Sequence, residues 1–363
     1  MAPRRAIYLP ESGRLEVITQ TETYVPTGSQ SLVKVAYSAI NPADLRHYYM
    51  GWHSFVAGYE WVGTVESVGP DSPFKVGEVL FGFAKPGHKR PITAGAHQDY
   101  ILAETYMTYR YPVGSGLDWT QVVSWPAGLM TVADAFFNCL GFAFPPLEKD
   151  GITGEDPKGK AILIWGGAST LGVFAIQLAR FVGFGPILTT ASPRNHATLR
   201  RLGATQCFDY RSATVVDEVR AAARASGKAL ATVFDAVGAG MGFGEPPERA
   251  AATTDLSTCT PELARRCLTN GDENDARLCA ALPVQHDPRW TFCYAVRDAE
   301  KEPEYAGRLE AVVGWALENH GTIGLEVPRV RVVKGGAEEG IRAIHDVFEG
   351  RTSMEKVVIE HPL

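Results

Sequence analysis

The stretch KAILIWGGASTLG, residues 160–172, decides how this chain is read. Its first six residues form a short apolar run that predicts a buried strand. Two glycines follow, and then Leu171, Phe174, Leu178 and Val182 recur three or four residues apart, which predicts a helix over 170–182. A strand that turns through glycine into a helix lets the backbone approach a diphosphate, while the helix N-terminus offers free N–H groups and partial positive charge. Gly167 and Gly172 suit the tight turn and close packing, Ser169 and Thr170 add hydroxyls, and Leu171 completes the cradle. The run is not a strict G-x-G-x-x-G, so a purely structural strand-to-helix turn is the alternative.

Working outward, strands are expected at 186–190, 206–209, 230–235 and 276–282, with helices at 195–202 and 213–225 between them. Alternation with short links implies a parallel sheet with right-handed crossovers. Upstream, the runs at 31–37, 61–69 and 79–83 carry β-branched and aromatic residues, with turn residues every ten to fifteen positions, as in a small all-β domain. The stretch 238–274 reads as loops with one helix near 261–268. The tail shows helices at 306–319 and 337–349 and strands at 330–333 and 356–360. The expected fold is therefore α/β: a Rossmann-type parallel-sheet cofactor domain, residues 129–297, inserted in a β-rich domain formed by 1–128 and 298–363.

Length and composition fit this plan. At ~150 residues per domain, 363 residues suggest about two domains. Hydrophobic residues are 45% and charged residues 21%, ordinary for a globular protein. The net charge of −6 argues against non-specific nucleic-acid binding. The six cysteines include no C-x-x-C pair, so metal-knuckle spacings are missing, and they read as buried small apolar residues in a reducing compartment. The first residues lack the apolar core of a secretory signal and no run of ~18 apolar residues occurs, so a cytoplasmic protein away from membranes is expected.

The dinucleotide can be narrowed. An NAD site usually places an acid about 20 residues beyond the glycine turn, on the ribose 2′-OH. No Asp or Glu lies between Asp156 and Asp209. Instead Ser192, Pro193, Arg194 and Asn195 follow the second strand, and Tyr210 follows the third. A hydroxyl, a guanidinium and an amide would hold a 2′-phosphate, which favours NADPH. The plainer alternative for Arg194 is a solvated loop cation.

Further segments join the glycine turn: INPAD at 40–44, GYEWVGTV at 58–65, VGEV at 76–79, GAHQDY at 95–100, PAGLMT at 126–131, SPRN at 192–195, FDYR at 208–211 and SMEKVV at 353–358. In this order and spacing the chain resembles zinc-independent medium-chain dehydrogenases/reductases of the quinone-oxidoreductase type. Within them it is most similar to the fungal trans-acting enoyl reductases that serve polyketide synthases, the lovastatin-pathway type. The resemblance implies a GroES-like catalytic domain around the Rossmann domain. Where the zinc branch of the family has Cys and His ligands, this chain has Asn41 and Tyr59, and the four-cysteine lobe is missing. That argues against alcohol dehydrogenation and for reduction of an activated C=C bond.

The resemblance also assigns roles. Ala43, Asp44, Leu45 and Arg46 should line the nicotinamide end of the cofactor, with Leu282, Pro283, Ser353 and Met354. Ser169 to Gly172 should hold the diphosphate, and Ser192 to Asn195 with Tyr210 the 2′-phosphate. Thr131, read as opening a helix over 131–139, should face substrate, with Tyr294 in the same pocket. Relatives often carry Trp-Lys where Leu45-Arg46 stands, and Arg is too weak an acid for ready proton donation. Arg46 therefore adds field or is a surface charge, and Thr131 is an oxyanion donor or a helix cap. His47 and His53 tempt as acids, although the sequence shows no carboxylate to orient either. Asp235 reads as a loop cap. Lys85, His88, Lys89 and Arg90 form a basic stretch that could dock an acidic acyl-carrier domain of a polyketide synthase, or be a solvated loop. Three functions remain open: enoyl reduction on a polyketide, quinone or enone reduction on free small molecules, and a non-catalytic cofactor-binding partner of a synthase.

Overall fold

Apolar runs bounded by glycine and proline become strands here because their β-branched and aromatic side chains pack well on a pleated surface. The computed structural model describes residues 4–253, 255–269 and 275–363 and divides into two units. Unit 1 is Met1–Ala127 with Arg329–Leu363, and unit 2 is Gly128–Pro328. Part of the 238–274 stretch, residues 254 and 270–274, lies outside the described residues.

In unit 1 the chain runs through β1 (Arg4–Leu9), β2 (Glu16–Gln20), β3 (Ser31–Ala39), α1 (Ala43–Tyr49), β4 (Phe55–Val56), β5 (Glu60–Val68), β6 (Val79–Phe83), β7 (Tyr100–Ala103), β8 (Thr108–Arg110) and α2 (Trp119–Val122). A third helix, α3 (Pro126–Ala133), leads into unit 2. There follow β9 (Ala161–Trp165), α4 (Thr170–Val182), β10 (Ile187–Thr190), α5 (His196–Leu202), β11 (Gln206–Phe208), α6 (Val215–Ala225), β12 (Leu230–Asp235), α7 (Pro247–Ala252), α8 (Thr260–Arg266), β13 (Arg277–Ala280), β14 (Trp290–Phe292) and α9 (Pro303–Ile323). Unit 1 resumes with β15 (Arg329–Val333), α10 (Ala337–Phe348) and β16 (Glu355–Glu360).

Unit 2 is built on a parallel sheet of order β11-β10-β9-β12-β13-β14. The order runs outward from β9 in both directions, so the crevice at the carboxyl ends of β9 and β12 is the topological switch point where such sheets bind ligands. All five residues of β9 are buried, as a central strand covered on both faces requires. In unit 1, β3, β5, β6 and β8 pair antiparallel, β7 joins β3, and β16 brings β15 to the other edge. A small sheet, β2-β1-β4, packs its apolar face with α1 and α10 around Leu45, Phe55, Ile344 and Phe348.

Two boundaries differ from expectation. The return to unit 1 falls at Arg329, not 298, because α9 packs against the helical segment that continues α3. The helix carrying Thr131 starts at Pro126, five residues earlier than expected, and continues as a π-helix, Asp134–Cys139.

Candidate functional site

The glycine turn is defined by close approach. Gly166 has φ +86°, and a Cβ there would lie 2.1 Å from Val237. A Cβ on Gly172 would lie 2.3 Å from the Gly166 carbonyl oxygen, so the turn folds onto its own backbone. β10 pins it: the Gly166 N–H donates to Thr190 Oγ1 (3.0 Å) and the Gly167 N–H to the Thr190 carbonyl (2.9 Å). Ser169 caps α4, its Oγ accepting from the Gly172 N–H at 3.0 Å. Among the described residues, the N–H groups of Ala168, Thr170 and Leu171 have no protein acceptor. These free donors, at the positive end of a 13-residue helix, suit a diphosphate.

The neighbouring edge carries the adenosine-side residues. Ser192, Pro193 and Arg194 follow β10 and Tyr210 follows β11, two strands paired in parallel. Arg194 and Tyr210 are exposed, whereas Asn195 is buried and does not offer its amide to solvent. Asp209, an acid on this edge, is chelated by Arg211 (3.1 and 3.3 Å), which holds its carboxyl below the usual range. The Arg211 guanidinium also lies 5.4 Å from the Tyr210 ring centre. An anion bound beside Tyr210 would thus meet an ion pair, not a bare carboxylate.

On the other side of the switch point, buried Asp235 accepts from the N–H groups of Val237 (3.0 Å) and Gly238 (3.1 Å) and from Thr260 Oγ1 (2.5 Å). Burial pushes its carboxyl up while these bonds pull it down. Asp235 is therefore the loop cap that its position suggested. Val237 abuts Gly166, and Gly238 abuts Leu282, so the cap carries Leu282 and Pro283 toward the glycine turn. β13 stops at Ala280, two residues short of the expected end.

Thr131 is buried inside α3, which excludes a capping role. One turn later stands Asp134, fully buried, whose carboxylate accepts from Arg297 Nε (2.8 Å) and Nη2 (2.7 Å), the Tyr294 N–H (2.8 Å) and Asn138 Nδ2 (2.7 Å). Residues i and i+3 share a helix face. The Tyr294 backbone is thus tied to Asp134, one turn beyond Thr131, and the Arg297 guanidinium lies 4.7 Å from the Tyr294 ring centre. Sequence reading missed this clamp. Asp134 sits in an apolar run, DAFF at 134–137, and a buried acid there was the available signal.

In unit 1, Asn41 and Glu60 receive a buried lysine: Lys356 Nζ donates to Asn41 Oδ1 (2.7 Å) and Glu60 Oε2 (2.5 Å). Asp44 accepts from the Asn41 N–H and begins a buried chain through His97, Ser38 and His361 to Asp99, with links of 3.3, 2.8, 2.8 and 3.4 Å. Burial pushes His361 down against the pull of Asp99. Tyr59 bonds His47. Among the described residues no group of three or more His, Cys, Asp or Glu could hold a metal ion.

Residues 27–115 match the alcohol dehydrogenase GroES-like domain, and residues 170–245 match the zinc-binding dehydrogenase family. One matched segment lies in unit 1 and the other in unit 2, and each covers less than half of the chain. It is similar to dehydrogenase azaJ of Aspergillus niger, 28% identical over 96% of this chain and 97% of that protein. It is also similar to trans-enoyl reductase himH of Aspergillus japonicus, 33% identical over 52% of this chain and 54% of that one. The enoyl reductase CurK shares the fold, with TM-score 0.71 at 16% identity over the whole of both chains.

Both matched family descriptions name dehydrogenases, and the chain matches them over those two segments. Several of its expected site residues sit differently from expectation. Leu45 is buried in the unit 1 core and Asp44 is committed to its buried chain, so neither side chain is free for a cofactor. Arg46 lies over Phe348 at 5.9 Å, Ala43 opens α1, and exposed Ser353 precedes Met354 at φ +52°. In the basic stretch, Lys85, His88 and Lys89 are exposed, but Arg90 is buried, donating to the carbonyls of Gly58 (2.9 Å) and Val56. Arg90 is therefore not a docking charge. Among the described residues no helix is long and apolar enough to cross a membrane.

Proposed function

We propose that this protein is a trans-acting enoyl reductase of the cytosol: with NADPH it reduces the C=C bond of an α,β-unsaturated acyl thioester presented by an acyl-carrier domain of a polyketide synthase or synthase–peptide synthetase hybrid. The observation that carries the reading is the similarity to several proteins named trans-enoyl reductases, at 29–33% identity over half to three-fifths of this chain. The side chains at 41 and 59 agree with it. Asn41 is held by Lys356 and Glu60, and Tyr59 by His47, so neither is arranged to polarise an alcohol through a metal.

With its diphosphate held at the glycine turn, a reduced nicotinamide cofactor would supply a hydride for the β-carbon. The free N–H groups of Ala168, Thr170 and Leu171 hold the diphosphate. Arg194, Ser192 and the Tyr210 hydroxyl take the 2′-phosphate, with Asp209 silenced by Arg211. Thr131 offers a hydroxyl to the thioester oxygen as charge builds there, and Arg46 adds a positive field. Tyr294, set by the Asp134 clamp, shapes the acyl pocket.

The test is nicotinamide oxidation by the purified protein with a crotonyl thioester, compared with a quinone, under NADPH and NADH in turn. Turnover of the thioester with NADPH is expected. Turnover of the quinone alone assigns a free-standing quinone or enone reductase, and NADPH binding without turnover of either assigns a non-catalytic partner.

A further inference from the structure

Unit 1 contains a cleft for which the reading above has no use. It holds about 740 Å³, within the range of small-molecule sites. Its walls come from β3, the end of β16 and the loop that leads into α2, all within unit 1. Strand pairing builds one wall. β16 runs antiparallel to β3 with Glu360 opposite Tyr37, so the two side chains share a face, and the Tyr37 hydroxyl donates to Glu360 Oε1 (3.4 Å). The loop builds another. The Tyr111 hydroxyl donates to the Leu117 carbonyl, and the Tyr111 ring meets that of Trp119 edge-on, with centres 6.4 Å apart. Between them Asp118 caps α2: its Oδ1 accepts from the Gln121 N–H (2.9 Å) and the Thr120 hydroxyl (2.6 Å). Among the described residues Asp118 Oδ2 has no partner.

Three aromatic rings and two carboxylates thus line one cleft, and no Lys or Arg lines it. Burial and the neighbouring Glu360 push the Tyr37 phenol up, Asp118 adds to the rise and Lys334 opposes it, so both carboxylates act on the same hydroxyl. Lys334 Nζ lies 3.5 Å from Glu360 Oε1, but its side chain is 71% exposed, and such a solvated pair exchanges readily. His361 also lines the cleft. Its ring nitrogens are taken by Ser38 and Asp99 and burial pushes its pKa down, so at neutral pH it adds no positive charge. An anion in this cleft would meet two like charges. A bare metal ion would leave the rings unused, and among the described residues no group of three or more His, Cys, Asp or Glu could hold one. A cation with an apolar body uses everything present: ring faces attract the charge and take the alkyl part. A free carboxylate oxygen also wants an N–H donor, which a protonated amine supplies and a quaternary ammonium does not.

We propose that this cleft binds a small organic cation, a protonated aliphatic amine. Its ammonium donates to Asp118 Oδ2 and takes the place of Lys334 at Glu360, and its chain lies against Tyr37, Tyr111 and Trp119. None of these residues is among those assigned above to cofactor or substrate, so the cleft's ligand is independent of the enoyl-reductase reading.

The experiment is a ligand-observed NMR titration of the full chain with hexylammonium, using hexanol and hexanoate as neutral and anionic counterparts of the same length. Hexylammonium should bind with a Kd of about 0.1–1 mM, hexanol at least about 10-fold more weakly, and hexanoate not at all up to about 10 mM. Asp118→Asn keeps the oxygen that caps α2 and removes the charge, and should raise Kd about 5- to 10-fold. Trp119→Leu should raise it about 3- to 10-fold and Glu360→Gln about 2- to 5-fold. Glu318→Gln, at an exposed acid of unit 2, should leave it unchanged. Thermal midpoints of the variants should stay within about 2 °C of wild type; if Trp119→Leu fails to fold, Asp118→Asn and Glu360→Gln decide. No saturable hexylammonium binding, equal affinity for hexanol, or a Kd that Asp118→Asn and Glu360→Gln leave unmoved overturns the assignment. An equal loss in Glu318→Gln marks general attraction to an acidic protein and overturns it as well.

Discussion

Asp134→Ala tests whether the clamp in unit 2 holds the segment that carries Tyr294. The Asp134 side chain is fully buried and that of Arg297 is 12% exposed. Truncation removes the acceptor for two Arg297 N–H groups, the Tyr294 N–H and Asn138 Nδ2. Breaking a buried ion pair by deleting one partner costs about 3–5 kcal/mol, because the other charge is left uncompensated. Glu302, 3.5 Å from Arg297, softens the loss and points to the lower end of that range. For a cooperative unit of about 200 residues each kcal/mol lowers Tm by about 2–4 °C, so a drop of roughly 6–12 °C is expected. Differential scanning calorimetry of the full chain measures it. The double variant Asp134→Ala/Arg297→Met should recover part of the loss, since no unpaired charge remains, giving a coupling of at least about 1 kcal/mol. A single-variant shift below about 2 °C, or strictly additive losses, would refute the clamp.

Other outcomes follow from the same structure. His47 titrates near 4 in the fold against about 6.5 unfolded, and His361 is shifted the same way, so the unfolded chain takes up protons first as pH falls. Stability should be full above about pH 6.5 and fall by up to about 3 kcal/mol toward pH 4; equal urea midpoints at pH 7 and pH 5 would contradict this. Arg194→Ala with Tyr210→Phe should weaken NADPH binding about 5- to 20-fold and leave NADH binding unchanged, a modest effect because both groups are exposed; calorimetric titration reads the ratio. Ser169→Ala removes the α4 cap and should cost about 1 kcal/mol by denaturant unfolding. Lys85→Glu with Lys89→Glu should slow turnover of a carrier-bound substrate at low salt and spare a free thioester, and equal loss on both would exclude docking there.

Legibility varied with the range of the interactions involved. The helix over 170–182 and β9 to β13 of the parallel sheet follow from local periodicity and glycine punctuation and stand within two residues of their expected positions, whereas the edge strand β14 was not expected from the sequence. β1, β2 and α1 gave weak local signals, because their apolar residues are buried by partners distant in sequence, such as Ile344 and Phe348. α1 contains aromatic and His residues of middling helix propensity and is held by packing. The π-helical turn at Asp134 has no local signature, since it depends on Arg297 and Tyr294 reaching back some 160 residues.

By itself the sequence determined the parallel sheet, its order of appearance, the glycine turn with its capped helix, and the absence of an acid where an NAD ribose would want one. Those properties are set within ten to thirty residues, where backbone geometry and apolar spacing suffice. Only the tertiary structure decided which charges are available. It turned Leu45 and Arg90 inward, spent Asp44 and Asp134 on buried partners, neutralised Asp209, and joined His47 to Tyr59. The chemistry of an ionisable side chain depends on its burial and on its neighbours in space, and the chain order does not contain either until the fold brings distant segments together.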